Sequence, residues 1–486
     1  MNVFKSNGSA AIQTWVKAST VSLVMMMIAI VSCLARPVLA RDGPTADAET
    51  ALDRYVRAPD EAYAWQLVHT NRQDGATTFV VDMTSQSWRQ AGEVDRPVWQ
   101  HWLVIVKPDK AKSNKALLFV GGGRNGRQAP RSADERTTQI ALATNSVVAQ
   151  LGMIPNQPLV FHNDGNPRSE DDLIGYAWDQ FMKTADPLWL PRLPMVKSVV
   201  RAMDTIQALL GSDERGQHRI DSFVVAGGSK RGWTTWMTAA VDPRVCAIVP
   251  IVIDVLNVKR SMAHHYAAYG FWAPAIDDYV QHKITHRRDT PEHAKLLELV
   301  DPYAYRARFT MPKCLINATG DEFFLPDSSQ FYFDDLPDEK YLCYVPNGNH
   351  SLRGTDALDT LVAFYHAIVN DTPRPRFSWK FDGAETLRVV AQTRPRRVLL
   401  WQATNPAARD FRIDTIGRAY QSQPLKADES GAYVAKVDTP DIGWTAYFVQ
   451  LEFDVGAPTA LRLTTPVRIV PDRLPHADET APLISD

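Results

Sequence analysis

Between residues 195 and 254 the hydrophobic period changes again and again: "MVKSVVRAMDTIQALL", then "DSFVVAGG", "TTWMTAAVD" and "VCAIVPIVID". In the first run Val196, Val199, Val200, Met203, Ile206 and Leu210 recur at three- to four-residue spacing, which is one face of a helix. The second and fourth runs are short and apolar, as strands covered on both faces are. "SADERTTQIALATN" followed by "SVVAQLG" repeats the alternation upstream. Helices alternating with such strands predict an α/β fold with a mostly parallel sheet.

The flanks read differently. From 63 to 120, "AYAWQLVHT", "TTFVVDMTSQSW" and "WQHWLVIVKP" alternate apolar and polar residues between turn signals, so antiparallel strands open the sheet. "KCLINATGD" and "KYLCYVPNGNH" extend it, and the long stretch from about 256 to 311 between strands predicts a helical cap insertion. A proline and charge cluster, "NDTPRPRFSW", ends the helical text. Only strand-like runs follow, which predicts a small C-terminal β-sandwich. The expected organisation is a leader over 1–40, a catalytic domain over 41–370 and a sandwich over 371–486.

The 486 residues are 45% hydrophobic and 22% charged, enough apolar material for one large core and a smaller one. A formal net charge of −2 and no basic stripe argue against a nucleic-acid partner. Lys5 and Lys17 precede "VSLVMMMIAIVSCLA", a run too short for a comfortable membrane span, and "VLA" ending at Ala40 offers a cleavage site. The expectation is a secreted or periplasmic protein with no membrane span after cleavage. An uncleaved anchor is the alternative, and "IVSC" leaves open a lipid anchor at Cys33. The other cysteines, Cys246, Cys314 and Cys343, lie in strand-like runs and read as buried thiols; Cys314 and Cys343 can pair only if their strands are neighbours.

"VVAGGSKRGWTTW" carries the chemistry. A strand running through two glycines and a serine straight into a helix makes a tight turn that pushes Ser229 outward. Taken alone the hexapeptide around Ser229 also suits a plain turn or an anion nest. Asp321 and His350, however, each follow a predicted strand directly, at the edge where open α/β sheets hold ligands. The order serine, acid, histidine is that of α/β-hydrolases. A serine hydroxyl needs an imidazole to take its proton, and the imidazole needs an anion to orient it. For the oxyanion hole the N–H of Lys230 and the glycine loop "LLFVGGGRNGR", with Gly122, Gly123 and Arg124, are the candidates. In the cap, Tyr266, Tyr269 and Trp272 are candidate substrate-binding residues; a packed aromatic core explains them as well. The acidic stretch from 161 offers substrate contacts through Asp164, Arg168, Glu170 or Asp171, or is a solvated loop leading into an exposed helix start. "GGGRNG" satisfies G-x-G-x-x-G, but Pro130 delays the helix and no acid follows the next strand, against a dinucleotide. No metal motif is present, and no cofactor is expected.

Several long segments together, "RSEDDLIGYAWDQF", "VAGGSKRGWTTW", "VDPRVCAIVPIVID", "NATGDEFFLPDSS", "PNGNHSL" and "GWTAYFVQLEF", resemble the PhoPQ-activated pathogenicity-related protein family. The resemblance implies an exported α/β-hydrolase-like domain with a β-rich tail, and puts Ser229, Asp321 and His350 at the triad positions. Arg231 departs from the glycine that many serine hydrolases carry two residues after the nucleophile. The expectation is a serine hydrolase acting on an ester or amide bond of a small-molecule or peptide substrate. The alternative is a non-catalytic secreted protein that uses the hydrolase scaffold for binding or signalling.

Overall fold

The computed structural model describes residues 48–479 apart from 74 and 214–216. The leader and Cys33 lie outside the described residues. Three antiparallel strands come first, β1 (Ala64–Gln73), β2 (Ala76–Ser87) and β3 (Val98–Pro108), preceded by helix α1 (Ala51–Arg57). The parallel part follows as β4 (Lys115–Val120), α2 (Glu135–Thr144), β5 (Val147–Leu151), α3 (Glu170–Thr184), α4 (Arg192–Gly211), β6 (Ser222–Gly228), α5 (Lys230–Val241) and β7 (Val245–Ile251). The cap holds α6 (Val258–Tyr269), α7 (Asp277–Gln281) and α8 (Pro291–Val300). Then come β8 (Lys313–Ala318), β9 (Lys340–Val345) and α9 (Ala357–Val369). In space the strands run β1-β2-β3-β5-β4-β6-β7-β8-β9, with every pair from β5 to β9 parallel. This is an α/β-hydrolase-like sheet.

Alternation along each strand divides its side chains between two cores. Leu118, Val225 and Ile248 face α4 and α5, where Val199, Met203 and Trp236 are buried. Leu117, Val224 and Val249 face α2 and α9, against Ile140, Leu361 and Phe364. The parallel strands are therefore apolar at nearly every position.

The tail forms two sheets over a shared core. One is β10 (Phe377–Asp382), β11 (Thr386–Ala391) and β14 (Ala432–Lys436). The other, β12 (Arg397–Asn405), β13 (Gln421–Pro424), β15 (Trp444–Phe453), β16 (Leu461–Thr464) and β17 (Arg468–Val470), continues the central sheet. Leu387, Val389 and Ala435 of the first meet Leu400, Val449 and Leu451 of the second. The junction is narrow: Thr464 pairs with Leu342, and the Thr464 hydroxyl accepts from Tyr344 N at 3.1 Å.

Cys314 and Cys343 lie on neighbouring strands but out of register, Cys314 opposite Tyr341 and Cys343 opposite Ile316; both thiols are free. Among the described residues no helix is long and apolar enough to cross a membrane.

Candidate active site

Strand β6 delivers Ser229 to the sheet edge, and α5 begins at the next residue. Ser229 stands at φ 56°, ψ −126°, a conformation that an L-residue keeps only when its surroundings enforce it. Its N–H donates to Ile251 O at 2.8 Å, tying the turn to β7. Two glycines make the turn possible. A Cβ at Gly227 would lie 2.8 Å from the Arg231 carbonyl, and one at Gly232 2.8 Å from Gly227 O. The close approach usually made by a glycine two residues after the nucleophile is thus made by Gly232, one residue later. Arg231 is left free to send its side chain out of the turn.

Asp321 and His350 are brought together by the loops after β8 and β9. These loops touch backbone to backbone, Gly320 N donating to Gly348 O at 2.9 Å. Nδ1 of His350 lies 2.9 and 3.0 Å from the Asp321 carboxylate oxygens. Phe323 N also donates to Asp321, at 2.8 Å, and His350 N donates to Glu322 at 2.7 Å. The Phe323 ring sits 4.2 Å from the imidazole, centroid to centroid. Asp321 is buried, whereas the His350 side chain keeps 18% of its surface exposed. Among the described residues the Ser229 hydroxyl makes no hydrogen bond with His350. The two are related through a cavity of about 90 Å³ that Ser229 lines together with Phe323 and Phe324, the rings packed on His350.

The cavity lies beneath the cap and is mainly apolar, with Trp178, Trp233, Ile253, Met262 and Trp272 in its wall and Asp171, Lys230, Lys259 and Arg288 as its charged lining. Of the aromatic residues expected at substrate, Trp272 lines this cavity. Tyr266 lines an adjoining open groove of about 420 Å³, with Trp272, Arg260 and Arg288. Tyr269 is buried in a small cluster with Ala268, Ala273 and Leu325, its ring stacked on Phe271, and does not reach the cavity.

The glycine loop runs between β4 and the segment after β5. Gly121 N donates to Leu151 O at 2.7 Å, and Gly122 O accepts from Met153 N at 2.9 Å. The N–H groups of Gly122, Gly123 and Lys230 have no protein acceptor among the described residues, as is usual for the first residue of a helix in the case of Lys230. Gly122, Gly123 and Arg124 are not part of the cavity wall, and Arg124 is exposed.

The acidic segment opens as an exposed loop and its helix start is partly exposed, the Glu170 side chain keeping 42% of its surface. Its Asp164 and Arg168 pair with each other at 2.7 Å, but Asp171 lines the cavity and accepts from Tyr279 at 2.9 Å. Glu170 pairs with Lys230 at 2.7 Å and, through both oxygens, with Arg231. Burial pushes the Glu170 carboxyl up, but the Arg231 hydrogen bonds and the Lys230 and Arg231 charges outweigh it and hold the group at about 2. Phe323, Phe324 and the Glu170–Arg231 pairing are what sequence reading misses. The one signal for the pairing is the basic doublet Lys230-Arg231 in an otherwise apolar helix start.

Among the described residues no group of three His, Cys, Asp or Glu is placed to hold a metal ion.

The fold is similar to that of acetyl xylan esterase 1 from a Thermoanaerobacterium species, with a TM-score of 0.45 and 14% identity over 67% of this chain and 95% of that one. Acetyl xylan esterase from a Paenibacillus species gives a TM-score of 0.45 and 16% identity over 67% and 96%. In sequence the chain is 39% identical over 458 residues to autocrine proliferation repressor protein A of Dictyostelium discoideum, covering 88% of this chain and 91% of that protein. Residues 52–412 match the family described as PhoPQ-activated pathogenicity-related protein, and the chain belongs to that family.

Proposed function

We propose that the chain is an exported serine hydrolase that cleaves an ester or amide bond, with residues 41–370 as its catalytic portion. Ser229 attacks the carbonyl carbon while His350 Nε2 takes its proton. Asp321 holds Nδ1 of His350, fixing the tautomer and stabilising the imidazolium. The tetrahedral oxyanion is received by the N–H of Lys230 and those of Gly122 and Gly123, with Arg124 at the rim. Collapse expels the leaving group with the proton returned from His350, and water then repeats the sequence on the acyl-enzyme. The apolar cavity takes the acyl or aromatic part of the substrate against Trp272, with Tyr266 along the open groove.

The observation that carries this reading is a strained serine at a strand-to-helix elbow, sharing one cavity with the phenylalanines packed against an Asp-oriented histidine. The hydroxyl and imidazole are unbonded here, a relation that commonly tightens once substrate is bound. Treatment with a fluorophosphonate probe tests it. The expected result is covalent labelling of the wild type, lost in Ser229→Ala, and turnover of some member of a panel of acyl esters and short peptides. A folded wild type that neither labels nor turns over any of them overturns the reading in favour of a binding scaffold.

A further inference from the structure

The two halves of the proposed oxyanion hole come from distant parts of the chain, the Lys230 N–H from the elbow and the Gly122 and Gly123 N–H groups from the loop after β4. Their separation has to be right to a fraction of an ångström, because donors act at about 2.7–3.1 Å from the oxyanion. Each half is tied by backbone bonds to its own neighbouring strand, Ser229 to β7 and the glycine loop to the segment after β5. The strands that carry them, β4 and β6, pair backbone to backbone as far as Val120 and Gly227, and past that ladder what joins one half to the other is side chain.

Arg231, next to the elbow donor, crosses to the loop. Its guanidinium lies over Gly122, where an added Cβ would come within 2.6 Å of Nη2, and its Nε donates to Ile154 O. Its two terminal nitrogens donate to the Glu170 carboxylate at 2.8 and 2.6 Å, a bidentate pair. The same carboxylate takes Lys230 Nζ at 2.7 Å and accepts from Gln157 Nε2. Gln157 Nε2 also donates to Gly123 O at 3.1 Å, while its Oε1 accepts from Glu170 N at 2.8 Å. One carboxylate therefore holds two consecutive residues of the elbow and, through Gln157, the glycine loop. Glu170 does so from φ +54°, in the left-handed region that an ordinary residue enters only under strain.

We propose that Glu170 is a positioning residue for the oxyanion hole, setting the Lys230 N–H against the Gly122–Gly123 loop through Arg231 and Gln157. The proposal rests on the hydrolase reading above. Glu170 touches no reacting atom; it fixes where the donors stand. It also accounts for an arginine at the place where other hydrolases carry a glycine, since the guanidinium is the strut between the two halves.

The test compares wild type with Glu170→Gln on an acyl ester that the wild type turns over, and measures inhibition by an alkyl boronic acid, whose tetrahedral adduct with Ser229 places an oxygen in the hole. Glu170→Gln is expected to lower kcat roughly 10- to 100-fold with KM within about twofold, and to weaken the boronic acid by the same factor as kcat/KM. A purely structural role would leave these two losses uncorrelated. Gln157→Leu, which leaves the pairs to Lys230 and Arg231 intact, is expected to show the same kcat pattern to a smaller degree and decides the matter if Glu170→Gln fails to fold. Unchanged kcat and boronic acid affinity in a wild-type background that labels at Ser229 overturn the positioning role and leave the hydrolase reading standing. A wild type that never labels removes both.

Discussion

Two histidine–aspartate pairs draw their carboxylates from the one loop that follows β8, and they differ in their third partner. His350 meets Asp321 at the cavity edge, and the other donors to Asp321 are two backbone N–H groups, those of Phe323 and Phe324. His264, from the cap helix α6, meets Asp327 at 3.0 Å, and Arg409 from the tail donates to the same carboxylate at 2.6 Å. All three side chains of the second group are buried. There the arginine already matches the aspartate's charge, and the histidine is one spoke of a junction between cap, loop and tail. In the first pair, among the described residues, the imidazole is the only basic side chain that the carboxylate meets. An aspartate shared with an arginine builds structure, whereas one that meets only an imidazole and backbone N–H groups has, in the proposed hydrolysis, its charge available to the imidazolium.

The largest effect follows from unbalancing the first pair. Asp321→Asn is expected to keep the fold, because Asn can still accept from Phe323 N, but to lower kcat about 10³- to 10⁴-fold by presenting the wrong tautomer of His350. Steady-state kinetics together with the thermal midpoint check both halves of the statement. A variant that keeps its fold and its activity would show that the two pairs are equivalent after all.

Unbalancing the second pair moves stability instead. Burial pushes the Asp327 carboxyl up, but the Arg409 and His264 charges and hydrogen bonds outweigh it and hold the group well below the usual carboxylate range. Asp327→Ala strands a buried guanidinium whose Nε already lacks a partner. The expected loss is about 3–5 kcal/mol in urea unfolding, the cost of an uncompensated buried charge. Loss of activity without loss of stability would reverse the assignment of the two pairs.

Legibility in the sequence follows the range of the interaction that decides each feature. The parallel strands are plain in "FVVAGG" and "CAIVPI" because a strand buried on both faces is apolar at every position. The meeting of Asp321 with His350 is legible because each lies in the loop that follows a strand, where topology alone brings loops to one edge. Tyr269 is not separable from Trp272 by composition, since a ring in a core and a ring in a cavity wall obey the same patterning. The return of β16 to β9 rests on one residue pair, Thr464 with Leu342, and leaves no local trace. Glu170 and Arg231 meet across 61 positions, and beyond the basic doublet Lys230-Arg231 nothing near either residue announces the other.

The smallest expected effect is a slope, and it probes the ground between the two pairs. Asp254 lies just past β7, wholly buried, and accepts from Tyr332 and Tyr344, the latter at 2.6 Å. Burial raises its carboxyl, the two tyrosine hydroxyls oppose the rise, and the negative charges of Asp321 and Asp327 add to it, bringing the group to about 7. A carboxyl raised above its unfolded value stabilises the fold fully below the unfolded pKa of about 4, and that stabilisation is lost as pH climbs toward the folded value. The wild type is therefore expected to lose thermal stability between about pH 4 and pH 7 through this group. Asp254→Asn, which cannot ionise, is expected to flatten that decline whatever its midpoint at any single pH. The comparison sharpens when Asp327→Asn is measured alongside. Removing one of the two neighbouring charges should lower the pH at which the Asp254-dependent decline is centred, and a decline that stays where it was would mean that burial alone sets the carboxyl and that the two histidine pairs are not electrically joined through it.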